Sequence, residues 1–122
     1  MSIITKAVNV GEYVLVRHEI EAIRKEFEEA LSNVKRMLDE HRWKKLLIDM
    51  RGIESRLGVA EVYYSMESIA KELRYIKIGI VFPPEREEEG NFAENVAINR
   101  GVHLKSFVGY EQAVAWLTNE LT

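Results

Sequence analysis

Apolar residues along the chain repeat with two periods, one typical of strands and one typical of helices. The clearest strand pattern is the short apolar run Leu46–Ile48, which follows a polar stretch and precedes Asp-Met-Arg-Gly at positions 49–52. A run this short between turn signals is typical of a strand that is buried on both faces. We therefore place the segment Trp43–Gly52 in the middle of a sheet.

Three further stretches of the sequence predict strands. Ile3–Val10 and Tyr13–Val16 flank a turn that contains glycine, and together they predict an antiparallel hairpin. Ile76–Phe82 is a second buried run, and Pro83-Pro84 ends it because proline donates no hydrogen bond to a neighbouring strand. Val102–Phe107 alternates in polarity, which places the last strand near an edge of the sheet.

Helical patterns lie between these strands. The first has apolar residues three and four positions apart, which share one face of a helix: Ile20, Ile23, Phe27, Leu31, Val34 and Leu38. A second stripe runs from Val59 to Leu73, and a closing one from Tyr110 to Leu121. Each stripe predicts a helix with one face on the core.

The third helix is predicted from its expected ends. Asn91 and Glu94 have the spacing of a capping box, and Gly101 lies where a terminating glycine belongs. The acidic run Glu85–Glu89 before it could form a cation site, but consecutive glutamates point in different directions. We therefore interpret this run as a solvated loop.

The predicted order is β-β-α-β-α-β-α-β-α within a single domain, residues 1–122. Repeated βα units favour right-handed crossovers and a mixed, mostly parallel sheet flanked by helices, with the N-terminal strand antiparallel. Asp49 and Arg51 would then emerge beyond the carboxyl end of the central strand, where open α/β sheets commonly place ligands.

Composition narrows the classes of function. The chain has 122 residues, no cysteine and a net charge of −3. The absence of cysteine removes thiolate catalysis, and the net charge gives no general attraction to nucleic acid or to anionic membranes. His18, His41 and His103 lack metal-ligand spacing, so we expect no metal and no cofactor. The start of the chain is unlike a signal peptide, and no apolar run spans a bilayer, so we expect a cytoplasmic protein.

Two carboxylates could support acid–base chemistry. Asp49 and Glu54 lie on the same predicted loop, and an enzyme using this pair is the least favoured hypothesis. An aspartate at a strand exit more often accepts hydrogen bonds from the amides that follow it. We therefore interpret Asp49 as a residue that orders the loop.

Three segments, KKLLIDMRGIE, IKIGIVF and VHLKSFVGYEQAVAWL, together resemble the STAS-like superfamily, and more closely its small bacterial SpoIIAA-like members. The resemblance covers nearly the whole chain and implies a SpoIIAA-like fold. Such families contain partner-switching regulators and small-ligand-binding domains. The shared motifs are structural more than chemical, so they bear on the fold more than on function.

The loop after the central strand departs from the family pattern. Anti-sigma-factor antagonists of this type carry an Asp-Ser-Ser-Gly-like element with a phosphorylated serine, whereas this chain has only Ser55 near that place. Arg51 or Arg56 could pair with a phosphate on Ser55. Ser55 is more simply interpreted as the cap of the second helix.

The resemblance implies a non-catalytic regulatory or interaction module that binds a protein partner or a small ligand. We expect its binding residues among Asp49, Arg51, Ser55 and Arg56, with a homo-oligomer as a further possibility. The alternative is a protein that holds a lipid-like ligand in an apolar pocket between the sheet and a helix. The sequence predicts neither a nucleic-acid partner nor a membrane-spanning segment.

Overall fold

The fold is given by a computed structural model that describes residues 3–8, 13–18, 24–52 and 58–119. These ranges contain the strands β1 (Ile3–Val8), β2 (Tyr13–His18), β3 (Lys45–Asp49), β4 (Lys77–Val81) and β5 (His103–Phe107). They also contain the helices α1 (Arg24–His41), α2 (Val59–Glu72), α3 (Glu87–Asn99) and α4 (Tyr110–Thr118). A short 3-10 helix, Pro84–Arg86, precedes α3.

The strands form one sheet in the order β1-β2-β3-β4-β5. β1 is antiparallel to β2, and β2 through β5 are parallel. An α/β fold with a mostly parallel sheet is therefore confirmed. The predicted edge position of the last strand is also confirmed, because within the described residues β5 has a strand neighbour on one side only.

The helices cover the two faces of the sheet unequally. On one face, apolar residues of β2, β3 and β4 join a core cluster with α1, α2 and α3: Val14, Val16, Leu46, Ile48, Ile78 and Ile80. On the other face, Leu15, Leu47 and Val81 pack against Ala113 and Leu117 of α4. Each central strand is therefore buried on both sides, as its continuous apolar run predicts.

The predictions for the start of the third helix are wrong. The acidic run is not a solvated loop, because α3 begins at Glu87, and Asn91 and Glu94 lie inside the helix rather than at a capping box. Both side chains instead bind Ser106 of β5: its amide donates to Glu94 Oε1 at 2.7 Å, and its hydroxyl donates to Asn91 Oδ1 at 3.3 Å.

A buried ion pair explains why the acidic run is helical. Arg86 and Glu89 are only 4% and 7% exposed, and Arg86 Nε and Nη2 donate to the Glu89 carboxylate at 3.1 and 2.8 Å. The pair spans one helical turn, and the Arg86 guanidinium lies over the Phe82 ring. Glutamates in a first turn are also favoured by the helix dipole.

Two glycines shape α3. Gly90 lets its first turn approach the sheet closely, and Gly101 ends the helix. A Cβ atom at Gly90 would lie 2.9 Å from Phe82 Cδ1 and 3.2 Å from Ser106 Cβ, so the helix approaches the sheet more closely there than a side chain allows. Gly101 has φ +78°, and the prediction that it terminates the helix is confirmed.

Several predictions lie outside the described residues. They concern the hairpin turn at positions 9–12, the first apolar positions of the first helix, and Leu121 at the end of the last one. In the described part of the chain, α4 ends at Thr118. No helix among the described residues is both long and apolar enough to cross a membrane.

Candidate functional site

Asp49 ends β3 as a buried carboxylate. Its neighbours across the sheet are Arg17 of β2 and Val81 of β4. The side chain is 2% exposed, and an ionised carboxylate in such a position is costly unless donors surround it. The hydrogen-bond donors around Asp49 therefore determine the chemistry at this end of the sheet.

Two arginines supply those donors. Arg51 donates through Nε to Oδ1 and through Nη2 to Oδ2, each at 2.9 Å, and its amide donates to Oδ1 at 3.1 Å. Arg17 Nε donates to Oδ2 at 3.1 Å. The amide bond is the contact expected of an aspartate that orders the following loop. Both carboxylate oxygens are thus occupied.

These contacts decide the protonation of Asp49. Burial alone would raise the pKa of this carboxyl, but the hydrogen bonds from Arg51 and Arg17 outweigh burial and lower it. The same pairing raises the pKa of Arg51. Asp49 therefore stays ionised at neutral pH and acts as a fixed anion that orients two guanidinium groups.

Arg51 presents its outer side to solvent over an aromatic ring. Its side chain is 44% exposed, and its guanidinium carbon lies 4.9 Å from the centroid of the Tyr110 ring. Nη1 has no hydrogen-bond partner among the described residues. Stacking and the fork to Asp49 hold the guanidinium in place while leaving donors for a ligand.

Tyr110 interacts with a second tyrosine, Tyr13. Tyr13 is 4% exposed and lies at the start of β2, and its pKa is raised by burial and then by its interaction with Tyr110. Tyr110 begins α4, and with Arg51 it lines an open depression whose other walls come from the first turns of that helix: Gly109, Glu111, Gln112 and Ala115. We call Asp49, Arg51, Arg17 and Tyr110 the loop site.

The structure brings together some of the predicted site residues and adds others. Asp49 and Arg51 are in direct contact, whereas Ser55, Arg56 and Glu54 lie outside the described residues. The interpretation of Ser55 as the cap of the second helix is wrong, because α2 begins at Val59 and Gly58 occupies its N-cap. Arg17 was missed, and Tyr110, an aromatic that could contribute to a contact surface, was not among the predicted binding residues. A signal existed for Arg17, since β2 is parallel to β3 and its residues reach the same sheet edge. Nothing local marks Tyr110, which is 59 positions beyond Arg51.

The alternative of an apolar ligand pocket concerns the space between the sheet and α1. Its lining is apolar and includes Val16, Phe27, Leu46 and Ile69. The cavity among these residues measures about 30 Å³, whereas small-molecule pockets occupy roughly 300–1,000 Å³. In the described part of the chain, this space holds no more than a water-sized group.

Within the described ranges, no three His, Cys, Asp or Glu side chains lie together in a way that could hold a metal ion. No model of a known protein family matches the chain, and no curated protein matches it significantly. The resemblance to the STAS-like superfamily therefore stays a prediction.

Proposed function

We propose that this chain is a non-catalytic interaction module of the STAS-like type, which binds a protein partner at the loop site. One observation carries the proposal: the half-exposed Arg51 guanidinium is fixed by a buried carboxylate and lies against the Tyr110 ring. This arrangement stands at the carboxyl end of the parallel strands, where α/β folds commonly bind ligands.

The chemistry of this pair suits a protein interface. Arginine and tyrosine are the residue types that most often anchor interfaces, since each combines apolar area with directional hydrogen bonding. Because Asp49 and Tyr110 already restrict Arg51, binding costs little further side-chain entropy. The partner group that fits best is a carboxylate or phosphate on Arg51, beside an apolar group on Tyr110.

The bonding of Asp49 supports a role without catalysis. A general acid or base needs a free oxygen and a pKa near the working pH, whereas both oxygens of Asp49 accept from arginines and its pKa is lowered. Ser55 and Arg56 remain proposed contributors, with Ser55 as the proposed position of phosphorylation. For a chain without cysteine we propose a cytoplasmic location.

The proposal is tested on tagged protein isolated gently from its own cells. Native mass spectrometry compares wild type with Arg51→Ala and with Arg36→Ala, which removes an exposed guanidinium from a surface pair with Glu40. We expect a retained partner in wild type and in Arg36→Ala, and its loss in Arg51→Ala. Identical spectra for wild type and Arg51→Ala would contradict the proposal.

A further inference from the structure

The three loops that lead into β3, β4 and β5 carry cations and no carboxylate. With the first residues of each strand included, they are residues 41–45, 73–77 and 100–105, with sequences HRWKK, LRYIK and RGVHLK, and Glu40 and Glu72 directly precede the first two. Because the strands are parallel, all three loops meet at the amino end of the sheet, opposite the loop site. The Lys77 amide donates to the Lys44 carbonyl at 2.8 Å, which joins two of these loops directly.

Four cations of these segments have side chains that form no ion pair or hydrogen bond with other described residues. Arg42, Lys44 and Arg74 are exposed and Lys45 is half-buried. None of the four forms an ion pair with the described residues, in contrast to Lys35 and Arg36 of α1, which do. We call these four residues, together with Tyr75, the amino-end rim.

Lys77 and Arg100, two cations close to these four, bind groups within the described fold. The Lys77 ammonium group donates to the Trp116 carbonyl at 2.7 Å and to the Asn119 carbonyl at 3.0 Å, which caps the end of α4. Arg100 is also engaged, since its guanidinium lies over the Tyr63 ring and donates to the Val96 carbonyl. The cations of the rim have no such role inside the described fold.

An aromatic side chain projects from the same rim. Tyr75 is 84% exposed and follows Arg74 in the turn before β4. A phenol in this position has an apolar body and a polar tip, which is the build of side chains that settle at the boundary between water and lipid. Trp43, half-buried and stacked on His41, lies in the adjacent loop.

Exposed carboxylates of the described residues lie at both ends of the sheet, but they are partnered differently. Near the rim, Glu40 and Glu72 are paired with Arg36 and Lys35, and Asp39 is exposed. At the carboxyl end, Glu85, Glu87, Glu88 and Glu111 are exposed where the 3-10 helix, α3 and α4 begin. Although the net charge is −3, an anionic surface would therefore be attracted to the four cations of the rim more than to the exposed glutamates of the carboxyl end.

We propose that the amino-end rim docks the protein on the surface of an anionic phospholipid bilayer. The rim is a row of short turns carrying unpaired cations and one strongly exposed ring. Binding of single-stranded nucleic acid uses several rings in succession along a positive groove. Among the described tyrosine and tryptophan rings at this end, only Tyr75 is strongly exposed, since Trp43 is half-buried and stacked on His41. Docking this way leaves Arg51 and Tyr110 at the far end, accessible to a partner.

The test is sedimentation of the purified full chain with lipid vesicles at low ionic strength. Vesicles of phosphatidylcholine alone are compared with vesicles that also contain phosphatidylglycerol. The variant Lys44→Gln/Arg74→Gln removes two rim cations, and Lys25→Gln/Arg36→Gln removes one lysine and one arginine from exposed positions of α1. Circular dichroism establishes that both variants are folded before they are compared.

We expect binding to the anionic vesicles only, released by added salt. Loss of two cations from the rim should weaken binding roughly tenfold or more, since each contributes separately near an anionic surface. The α1 variant should bind like wild type. Equal sedimentation with both kinds of vesicle, equal weakening in the two variants, or binding to single-stranded RNA but not to anionic vesicles would each overturn the proposal.

Discussion

Asp49 and Arg51 are joined by three hydrogen bonds across only two positions of sequence, two from the guanidinium and one from the amide. The arrangement holds the turn at residues 51–52 directly after β3 and leaves a fixed guanidinium half-exposed to solvent. A structural role and a binding role are therefore combined in one pair.

Asp49→Asn should destabilise the fold at neutral pH. The neutral amide cannot replace a carboxylate that accepts from two arginines, and we expect a loss of about 2 kcal/mol in the free energy of unfolding. The loss is moderated because both arginines are half-exposed and can be hydrated. Urea denaturation measures it, with the exposed Asp39→Asn as the control. A loss no larger than that of the control would contradict the account.

The difference in unfolding free energy between wild type and Asp49→Asn should depend on pH. Folding lowers the pKa of Asp49, so its stabilising contribution is complete above the unfolded value of about 3.9 and is lost as the pH falls through the lower, folded pKa. The difference in unfolding free energy between wild type and Asp49→Asn should therefore be largest near neutral pH. It should shrink below about pH 4, and a difference that stays constant to pH 2 would contradict the assignment.

Substitutions at Arg86 and Glu89 test the buried ion pair at the start of α3. Glu89→Ala leaves a buried guanidinium without its carboxylate, and we expect a loss of about 3 kcal/mol. The double variant Arg86→Met/Glu89→Leu removes both charges and fills similar volume, so it should cost less than the single change. Thermal unfolding of the two proteins decides this. A double variant less stable than Glu89→Ala would contradict the prediction.

Gly90→Ala should destabilise the protein although alanine is the better helix former. The added methyl group would lie 2.9 Å from Phe82 Cδ1 and 3.2 Å from Ser106 Cβ, and we expect a cost of about 1–3 kcal/mol. Asn95→Ala, at an exposed position of the same helix, should be neutral or slightly stabilising. Chemical denaturation of both variants gives the comparison, and stabilisation by Gly90→Ala would show that the contact relaxes freely.

Glu94 protects the edge of the sheet, because its carboxylate accepts the Ser106 amide that β5 would otherwise present to solvent. Glu94→Ala should speed hydrogen exchange at that amide, measured by NMR. Glu94→Gln keeps an acceptor oxygen and should retain most of the protection. Equal exchange rates in wild type and Glu94→Ala would show that this hydrogen bond is not formed in solution.

The strands were predictable from sequence because buried parallel strands leave continuous apolar runs such as Leu46–Ile48. The start of α3 was not, since the Arg86–Glu89 pair becomes favourable only when the fold buries both side chains. The same limit applies to the loop site. Asp49 and Arg51 are neighbours in sequence, whereas Arg17 and Tyr110 reach them through strand register and the crossing of α4.

The cations of the amino-end rim also could not be predicted as a cluster from the sequence. They are divided among separate loops, so no continuous basic stripe exists in the sequence, and net charge alone predicts no attraction to an anionic surface. The parallel sheet collects them at one end. The signal that could have revealed them is the position of each cation relative to the strand that follows it.

The central claim, a partner-binding site built on Arg51 and Tyr110, is tested most directly by photo-crosslinking inside the native cell. A photoreactive phenylalanine derivative replaces Gln112, an exposed residue of the depression beside Tyr110, and in a control protein it replaces the exposed Asn33 of α1. We predict a discrete crosslinked product from position 112 that disappears when Arg51→Ala is added, and none from position 33. A product at position 112 that persists without Arg51, or no product there at all, would contradict the account.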